Sequence, residues 1–464
     1  MLTQDQAGSI FDKLKKCTTA DEIELLVSSG RSALTRFANN TIHQNMTEEE
    51  THLSVRVSFE GRTARATTNK ADNDSLRRVV QSAEALAKVQ QPDADLLSMP
   101  SRQEAQQNPG DAGAAMKRRF ESTASITADD RAAGVARMVD VARRHNLTAA
   151  GIFSSADVAE GIFNSHGLSD WYEQTLAEIS VTMLAETSSG WQKANSPDAA
   201  KLDPVRMAEI AAQKAVASHD PQELPPGKYT VVLEPSAVLD AVGFMFWDFS
   251  GSALLEQRSF LNDRMGKLLF GENITVHDDA YHPLQLGAHF DGEGMRRQRV
   301  KLIDKGVVTA VTYARSSAKR MNGSGATTRA VSPTGHGFAL PNEIGEAPLN
   351  IVFSGPRAGA SQTVEQMIAS TERGVLVTRL WYIREVDPYE KILTGMTRDG
   401  TFLIENGQIR RGIRNFRFNE SLIHMLQNVE AMGEPVRASG EESMDMVVPR
   451  IKVREFNFTE VTKF

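Results

Sequence analysis

A proline-rich segment, HDPQELPPGK at His219–Lys228, divides this chain of 464 residues near its midpoint. Prolines at this density exclude a helix interior and a central strand, because proline lacks the backbone N–H and has a fixed φ. The chain also exceeds the length of about 250–300 residues at which a single hydrophobic core stops growing. We therefore expect an N-terminal domain over residues 1–220 and a C-terminal domain over residues 228–464.

The first of these domains shows the same pattern of elements twice. Apolar residues spaced at three and four predict surface helices over Asn73–Val89 and Ala128–Arg144. Strand-like segments accompany each helix, and two of them flank Glu60-Gly61 as a hairpin would. The pattern predicts two similar helix-and-sheet blocks.

The second domain alternates short apolar runs with glycine-rich turns. Lys305-Gly306 and Asn406-Gly407 each separate two such runs, and Asn-Gly in this position is a strong signal for a β-hairpin. Pro235–Phe249 is the main helical segment, and its apolar composition is typical of a buried helix. The sequence thus predicts an α+β fold with an N-terminal helix-and-sheet domain and a mostly β C-terminal domain.

Composition narrows the possible partners and the compartment. A net charge of -7 gives no general attraction to a polyanion, so nucleic acid is not an expected partner. No apolar run approaches the roughly 18 residues that a membrane helix needs, and no secretory signal pattern opens the chain. We expect a cytoplasmic protein that does not bind a membrane. Its one cysteine, Cys17, excludes a multi-cysteine zinc or iron–sulfur site.

Several segments together resemble the TldD/PmbA family of peptidase subunits. They are, in chain order, RFANNTIHQN from Arg36, FDGEG from Phe290, SPTGHG from Ser332, LWYIREVDPYEKILTGMTRDGTFLIENGQI from Leu380 and VVPRIKVREFNF from Val447. The resemblance implies a two-domain protein that forms dimers around a large internal cavity. It also implies one of two types: a TldD-type subunit with a zinc-peptidase motif, HExxxH, or a TldE (PmbA) type that pairs with TldD and lacks the motif.

The stretch LDAVGF, Leu239–Phe244, lies where the resemblance places this motif and is similar to the form HEAVGH. Leu239 and Phe244 stand at the histidine positions and cannot ligate a metal, and Asp240 is one methylene shorter than the glutamate. Neither HExxH nor HExxxH occurs anywhere in the chain. The family resemblance also implies a cysteine as a further zinc ligand near the C-terminus, and the chain has no cysteine beyond Cys17. We expect no catalytic residue and no cofactor in this chain, with zinc on a TldD-type partner.

One stretch is rich in possible metal ligands, because His277, His282 and His289 lie among aspartates. The spacing matches no known zinc motif, so a solvated loop is the favoured interpretation and a metal site is the alternative. For Asp240, inside an apolar helix, a salt bridge or an interface contact is favoured over catalysis.

Three functions are consistent with the sequence. The first is a non-catalytic TldE/PmbA-like subunit of a metallopeptidase complex that degrades or processes unfolded peptides, as a heterodimer with a TldD-type subunit or as a homodimer. The second is a peptidase or peptide-processing enzyme with its own relocated metal site at His277–His289. The third, suggested by an older label of the family, is a DNA gyrase-associated modulator, against which the acidic charge argues.

Overall fold

The computed structural model describes residues 1–107, 117–325 and 329–462, and each of these stretches contains both helices and strands. In the described part of the first half, the strands are β1 (Glu22–Ala38), β2 (Thr41–Phe59), β3 (Arg62–Thr68), β4 (Thr148–Asn164), β5 (Ser169–Leu184) and β6 (Ser189–Ser196). The helices there are α1 (Gln4–Cys17), α2 (Asn73–Val89), α3 (Arg102–Ala105), α4 (Glu121–Ala124), α5 (Ala128–Arg144) and α6 (Pro204–Ala217).

These strands form one antiparallel sheet in the order β3-β2-β1-β4-β5-β6. The two blocks predicted from the sequence therefore join along β1 and β4, which pair over Glu24–Phe37. The strands β1 and β2 are long, with 17 and 19 residues, and each runs through several polar positions.

Helices cover one face of this sheet. Apolar residues of α1 and α2 pack on β1, β2 and β3, and those of α5 and α6 pack on β4 and β5. The start of α5 is fixed by a reciprocal cap, in which Thr127 and Asp130 each accept a hydrogen bond from the other's backbone N–H. Part of the opposite face is covered by the C-terminal half, where Leu26 and Ile162 lie against Phe290 and Met295.

In the described part of the second half, the strands are β7 (Gly227–Leu233), β8 (Val276–Asp278), β9 (Val300–Asp304), β10 (Val307–Val308), β11 (Ile351–Phe353), β12 (Arg373–Asp387), β13 (Ile392–Glu405), β14 (Gln408–Gly412), β15 (Phe416–Ser421), β16 (Val429–Met432), β17 (Val436–Ala438), β18 (Met446–Val448) and β19 (Ile451–Val461). The helices there are α7 (Pro235–Val242), α8 (Gly251–Leu255), α9 (Arg315–Gly323), α10 (Val364–Ala369) and α11 (Leu422–Gln427).

Two sheets organise these strands. In the described residues, one sheet follows the order β10-β9-β8-β11-β18-β17. The other contains a closed ring, β12-β7-β19-β15-β13, because β12 also pairs with β13, and β14 and β16 extend from it. A large apolar core lies between the sheets and the helix α7. The predicted α+β fold, with a mostly β second half, is confirmed.

The hairpin predictions around Glu60-Gly61 and Asn406-Gly407 are also confirmed. Both central residues of each turn have positive φ, at 44° and 79° for the first turn and 50° and 73° for the second. This is the backbone that a tight two-residue hairpin needs, and glycine and asparagine adopt it most easily.

The apolar segment Pro235–Phe249 differs from the prediction of one helix. It is α-helical only to Val242, and Gly243–Asp248 continue as a tighter 3-10 helix. Its buried character holds at Phe246 and Phe249, whereas Trp247 is exposed. In the part of the chain that the structure describes, no helix has the length and apolar character needed to cross a membrane.

Candidate functional site

The helix α7 carries two of the three positions that match the zinc motif. It begins at Pro235, whose fixed φ and missing N–H suit the first helical turn. Leu239 and Asp240 on this helix are completely buried, and Leu239 is part of the large apolar core. Phe244 lies beyond the helix in the 3-10 turn and is only half-buried. The two histidine positions of the motif therefore hold apolar side chains that pack in the core or at its border.

A loop between β17 and β18, Ser439–Ser443, lies across α7 and is called the 439–443 segment below. The backbone N–H groups of Glu441 and Glu442 both donate to Oδ1 of Asp240, at 3.2 Å each. The carboxylate of Glu442 in turn accepts a hydrogen bond of 2.6 Å from the backbone N–H of Tyr382 in β12. The segment is thus held on both sides, by α7 and by the ring of strands.

The 439–443 segment fills the space beside the motif positions. A Cβ placed on Gly440 would overlap Oδ1 of Asp240 and would lie 2.6 Å from Cδ2 of Leu239. A Cβ placed on Gly243 would likewise overlap the side chain of Ser443. Zinc needs nitrogen, sulfur or oxygen ligands and, at a catalytic site, an open position for water. The residues at the motif positions therefore do not fit a catalytic zinc ion.

Asp240 is an isolated buried carboxylate. Its Oδ2 atom is buried and has no hydrogen-bond partner among the described residues. Burial raises the pKa of Asp240 to about 7, although the two backbone N–H groups and the charge of Arg379 oppose the shift. Within the described residues Asp240 makes no ion pair and is held by backbone amides, so the salt bridge is not found, whereas the alternative of an interface contact stays a prediction.

Next to α7, a stacked arginine joins the two halves of the chain. The guanidinium carbon of Arg379 lies 4.5 Å from the ring centre of Trp191 and 5.1 Å from that of Trp381. Its Nε donates a 2.7 Å hydrogen bond to Asp399, which also accepts one of 2.6 Å from the hydroxyl of Ser189. Because Ser189 and Trp191 belong to β6, this cluster ties the N-terminal sheet to the ring of strands beside the motif positions.

The three candidate histidines lie in separate environments. His277, on β8, is buried, and this burial lowers its pKa to about 4. Nδ1 of His282 accepts a hydrogen bond of 3.2 Å from the backbone N–H of Leu284, and Nε2 of His289 lies 2.9 Å from Oδ1 of Asp170. Over residues 1–107, 117–325 and 329–462, no group of three or more His, Cys, Asp or Glu side chains is placed to hold a metal ion.

The stretch around His277–His289 was expected to be a solvated loop. This expectation is wrong for its aspartates, because Asp278, Asp279 and Asp291 are all buried. Asp278 is fully buried, because β8 lies in the interior of its sheet between β9 and β11. Its Oδ2 accepts a hydrogen bond of 2.8 Å from the backbone of Asn350, and its Oδ1 lies 2.9 Å from Nε2 of the equally buried His336. Burial alone would raise the pKa of Asp278, but His336, the charge of Arg297 and the backbone N–H of Asn350 together outweigh it, so the net shift is downward.

Two of the segments that carry the family resemblance, FDGEG and SPTGHG, meet in the same region, which sequence reasoning missed. The Asp291 carboxylate accepts hydrogen bonds from the backbone N–H groups of Glu293 and Met295, at 2.9 Å each, and of Gly337, at 2.7 Å. Burial and then the nearby charge of Asp291 raise the pKa of Glu293 to about 7. Each segment has a polar residue between two glycines, Glu293 in the first and His336 in the second. This pattern could have indicated that the two segments meet, since glycine lets backbones approach closely.

Family models match nearly the whole chain. Residues 23–87 match PmbA/TldA metallopeptidase domain 1, residues 110–218 match the PmbA/TldA metallopeptidase central domain, and residues 226–460 match the PmbA/TldA metallopeptidase C-terminal domain. The matches thus divide the first half of the chain into two units.

Curated proteins with similar sequences include Metalloprotease PmbA of Escherichia coli O157:H7, which is 23% identical over 324 residues, 67% of this chain and 66% of that protein. The Metalloprotease PmbA homolog of Haemophilus influenzae is 22% identical over 299 residues, 62% of this chain and 61% of that protein. The matched region therefore spans less than two thirds of the length of either relative.

Solved structures share the fold across almost the full chain. TldE from Thermococcus kodakarensis superposes with a TM-score of 0.84 at 21% identity, covering 98% of this chain and all of that one, 100%. A putative modulator of a DNA gyrase from Thermotoga maritima gives a TM-score of 0.82 at 16% identity, with coverage of 98% and 100%. At these identities the likeness concerns the fold.

Proposed function

The chain belongs to the TldD/PmbA family, whose domains cover nearly all of it, and from this premise we propose that it is a TldE-like, non-catalytic subunit of a TldD/TldE-type metallopeptidase complex. In this complex a TldD-type partner holds the zinc ion and cleaves unfolded peptides. The present chain shapes the surface that receives them. The proposal places the complex in the cytoplasm, as a heterodimer at its simplest.

One observation carries the proposal: the 439–443 segment packs on Leu239 and Asp240 at the motif positions. Leucine offers no lone pair to a metal, and a side chain as small as a methyl group at Gly440 would already collide with this pair. Restoring one ligand would therefore not restore a site, because the space for water and substrate is also filled. The fold shared with TldE from Thermococcus kodakarensis agrees with this subunit type.

The test is the zinc content of the purified chain, measured alone and after co-expression with a TldD-type subunit that has an intact HExxxH motif. Each sample is also assayed for cleavage of an unfolded, fluorescently labelled polypeptide. Zinc and cleavage only in the paired sample would support the proposal. Stoichiometric zinc together with chelator-sensitive cleavage by the chain alone would overturn it.

A matched control separates the role of the partner's site from that of the assembly. The partner with its motif glutamate replaced by glutamine should still copurify with the chain but should lose cleavage. If cleavage survives this replacement, then the chemistry lies on the present chain, and the relocated metal site at His277–His289 returns as the alternative.

A further inference from the structure

The face of the N-terminal sheet opposite its helices is only partly covered. Near Leu26 and Ile162 the C-terminal half packs on it. Farther along the strands, a cavity of about 210 Å³ stays open on this face, with Leu34, Met46 and Leu176 among its lining residues. We call this cavity the sheet-face groove.

Strand register shows how the groove is built. Two rows of residues cross the four strands β2, β1, β4 and β5: Glu48, Ser32, Ala156 and Leu176 in one row, and Met46, Leu34, Ser154 and Glu178 in the other. Since alternate residues of a strand point to the same face, all eight point away from the helices. The floor consists of small side chains, the walls are apolar, and one end of the second row is a carboxylate.

That carboxylate, Glu178, is held loosely. It forms an ion pair of 3.5 Å with Nζ of Lys193 and accepts hydrogen bonds of 3.4 Å from Nδ2 of Asn195 and Oγ of Ser439, and the charge of Arg437 also lies nearby. Lys193 and Asn195 each make a shorter hydrogen bond elsewhere, of 2.9 Å and 2.6 Å. Glu178 is therefore positioned by its neighbours, but its capacity to accept short, charge-assisted hydrogen bonds is not used up.

Size and charge together indicate what fits. The volume of about 210 Å³ is below the roughly 300–1,000 Å³ of pockets that take a drug-sized ligand, and it suits a single long side chain. Lysine and arginine combine an apolar stem with a cationic end, so the stem matches the walls and the cation matches Glu178. Glu48 adds negative charge at the opposite rim of the same face.

We infer that the sheet-face groove binds a lysine or arginine side chain of an extended peptide. The contact between Glu178 and Ser439 places the groove next to the 439–443 segment, which covers the degenerate motif positions. The inference rests on the proposed peptide-receiving role, and it adds a preference for basic residues to that role.

The test is direct binding to the full chain, measured by fluorescence anisotropy. The probes are labelled unfolded peptides of about ten residues, rich in glycine and serine, that are identical except for lysine, norleucine or glutamate at the centre. We expect the lysine peptide to bind about tenfold more tightly than the glutamate peptide, a difference of about 1.4 kcal/mol. In Glu178→Gln this ratio should fall to about two or less. An unchanged ratio in Glu178→Gln would overturn the inference.

Two further variants make the result specific. Glu186→Gln removes the same charge from an exposed turn outside the groove, so it should leave the ratio unchanged. Ala156→Phe fills the groove and should weaken binding of the lysine and norleucine peptides alike, with an unchanged melting temperature as the check on folding. If sedimentation instead shows that Ala156→Phe breaks a homodimer, then a second copy covers this face and the inference is wrong.

Neither zinc nor a partner enters this measurement, so its failure can be distinguished from failure of the proposed function. If basic peptides bind as expected while the chain alone proves to be a zinc peptidase, the groove inference survives and the subunit role does not. If partner-dependent cleavage holds but Glu178→Gln leaves peptide preference unchanged, only the groove inference falls.

Discussion

Gly440 packs directly on Leu239, so that an added Cβ would lie 2.6 Å from Cδ2 of the leucine. The two residues are far apart in the sequence, yet their contact decides whether the helix α7 can face an open site. A site that binds metal and substrate needs space beside its ligands, and here the 439–443 segment occupies that space. The function proposed for this chain therefore follows from packing as well as from the missing ligands.

The first prediction is that Gly440→Ala destabilises the protein by about 1–3 kcal/mol, the usual effect of forcing an extra methyl group into a packed site. The measurement is the free energy of unfolding in urea. Gly323→Ala is the matched control, because no atom lies within 4 Å of the position of its added Cβ. Equal stability of Gly440→Ala and wild type would show that the segment is not packed against α7 in solution.

The second prediction concerns the pH dependence of stability through Asp240. Its pKa is about 7 in the folded protein and about 3.9 in the unfolded chain, so between these values the folded state binds the extra proton. Stability from this group is therefore largest below pH 4 and is lost as the pH rises through 7.

Asp240→Asn removes the titrating carboxyl and keeps an oxygen that can accept the two backbone hydrogen bonds. Relative to wild type, this variant should gain stability between pH 5 and pH 8, by on the order of 2–4 kcal/mol. Paired urea titrations at the two pH values measure the gain, and the titration of Glu293, present in both proteins, cancels from the difference. A difference that does not change with pH would contradict the raised pKa.

Local pattern predicted much of the fold. The hairpins at Glu60-Gly61 and Asn406-Gly407 depend on two residues each, and the helices Asn73–Val89 and Ala128–Arg144 begin and end where their apolar spacing indicated. Turns and amphipathic helices are determined by residues close together in the sequence, so they can be predicted from a single sequence.

The candidate site could be predicted only in part, for a physical reason. The positions of Leu239 and Asp240 were found from the motif, but the covering segment was not, because Asp240 is bound by backbone N–H groups that every residue carries. The burial of Asp278 was missed for a related reason: its partner, His336, belongs to a distant glycine-rich turn with no apolar periodicity. Contacts of this kind leave no local pattern.

The third prediction concerns Arg118, which no sequence signal singled out. This buried arginine donates hydrogen bonds of 3.1 Å to the backbone carbonyls of Ala280 and His282, and another to that of Gln285. Arg118→Met removes the arginine donor from all three carbonyls, of which that of His282 still accepts from the backbone N–H of Gln285. The substitution should lower the free energy of unfolding by roughly 2–4 kcal/mol. The loop around them should also become more sensitive to a protease.

Arg143→Met is the matched control for this substitution. Its guanidinium is exposed and makes one contact of 3.4 Å with Asp140 on the same helix, and exposed pairs of this kind contribute about 0–1 kcal/mol. If the two variants lose the same stability, then Arg118 does not hold the loop, and its hydrogen bonds to the backbone carbonyls have no energetic role.

The fourth prediction tests the alternative of a relocated metal site. Because His277, His282 and His289 each contact different neighbours, alanine at all three should leave partner-dependent peptide cleavage and zinc content within about twofold of wild type. Near-ultraviolet circular dichroism checks the fold, since His277 is buried. If the triple variant does not fold, then alanine at the two less buried histidines, His282 and His289, still removes two of the three possible ligands. Loss of zinc and cleavage in either folded variant would show that these histidines bind the metal, and that the zinc ligands do not all come from the partner.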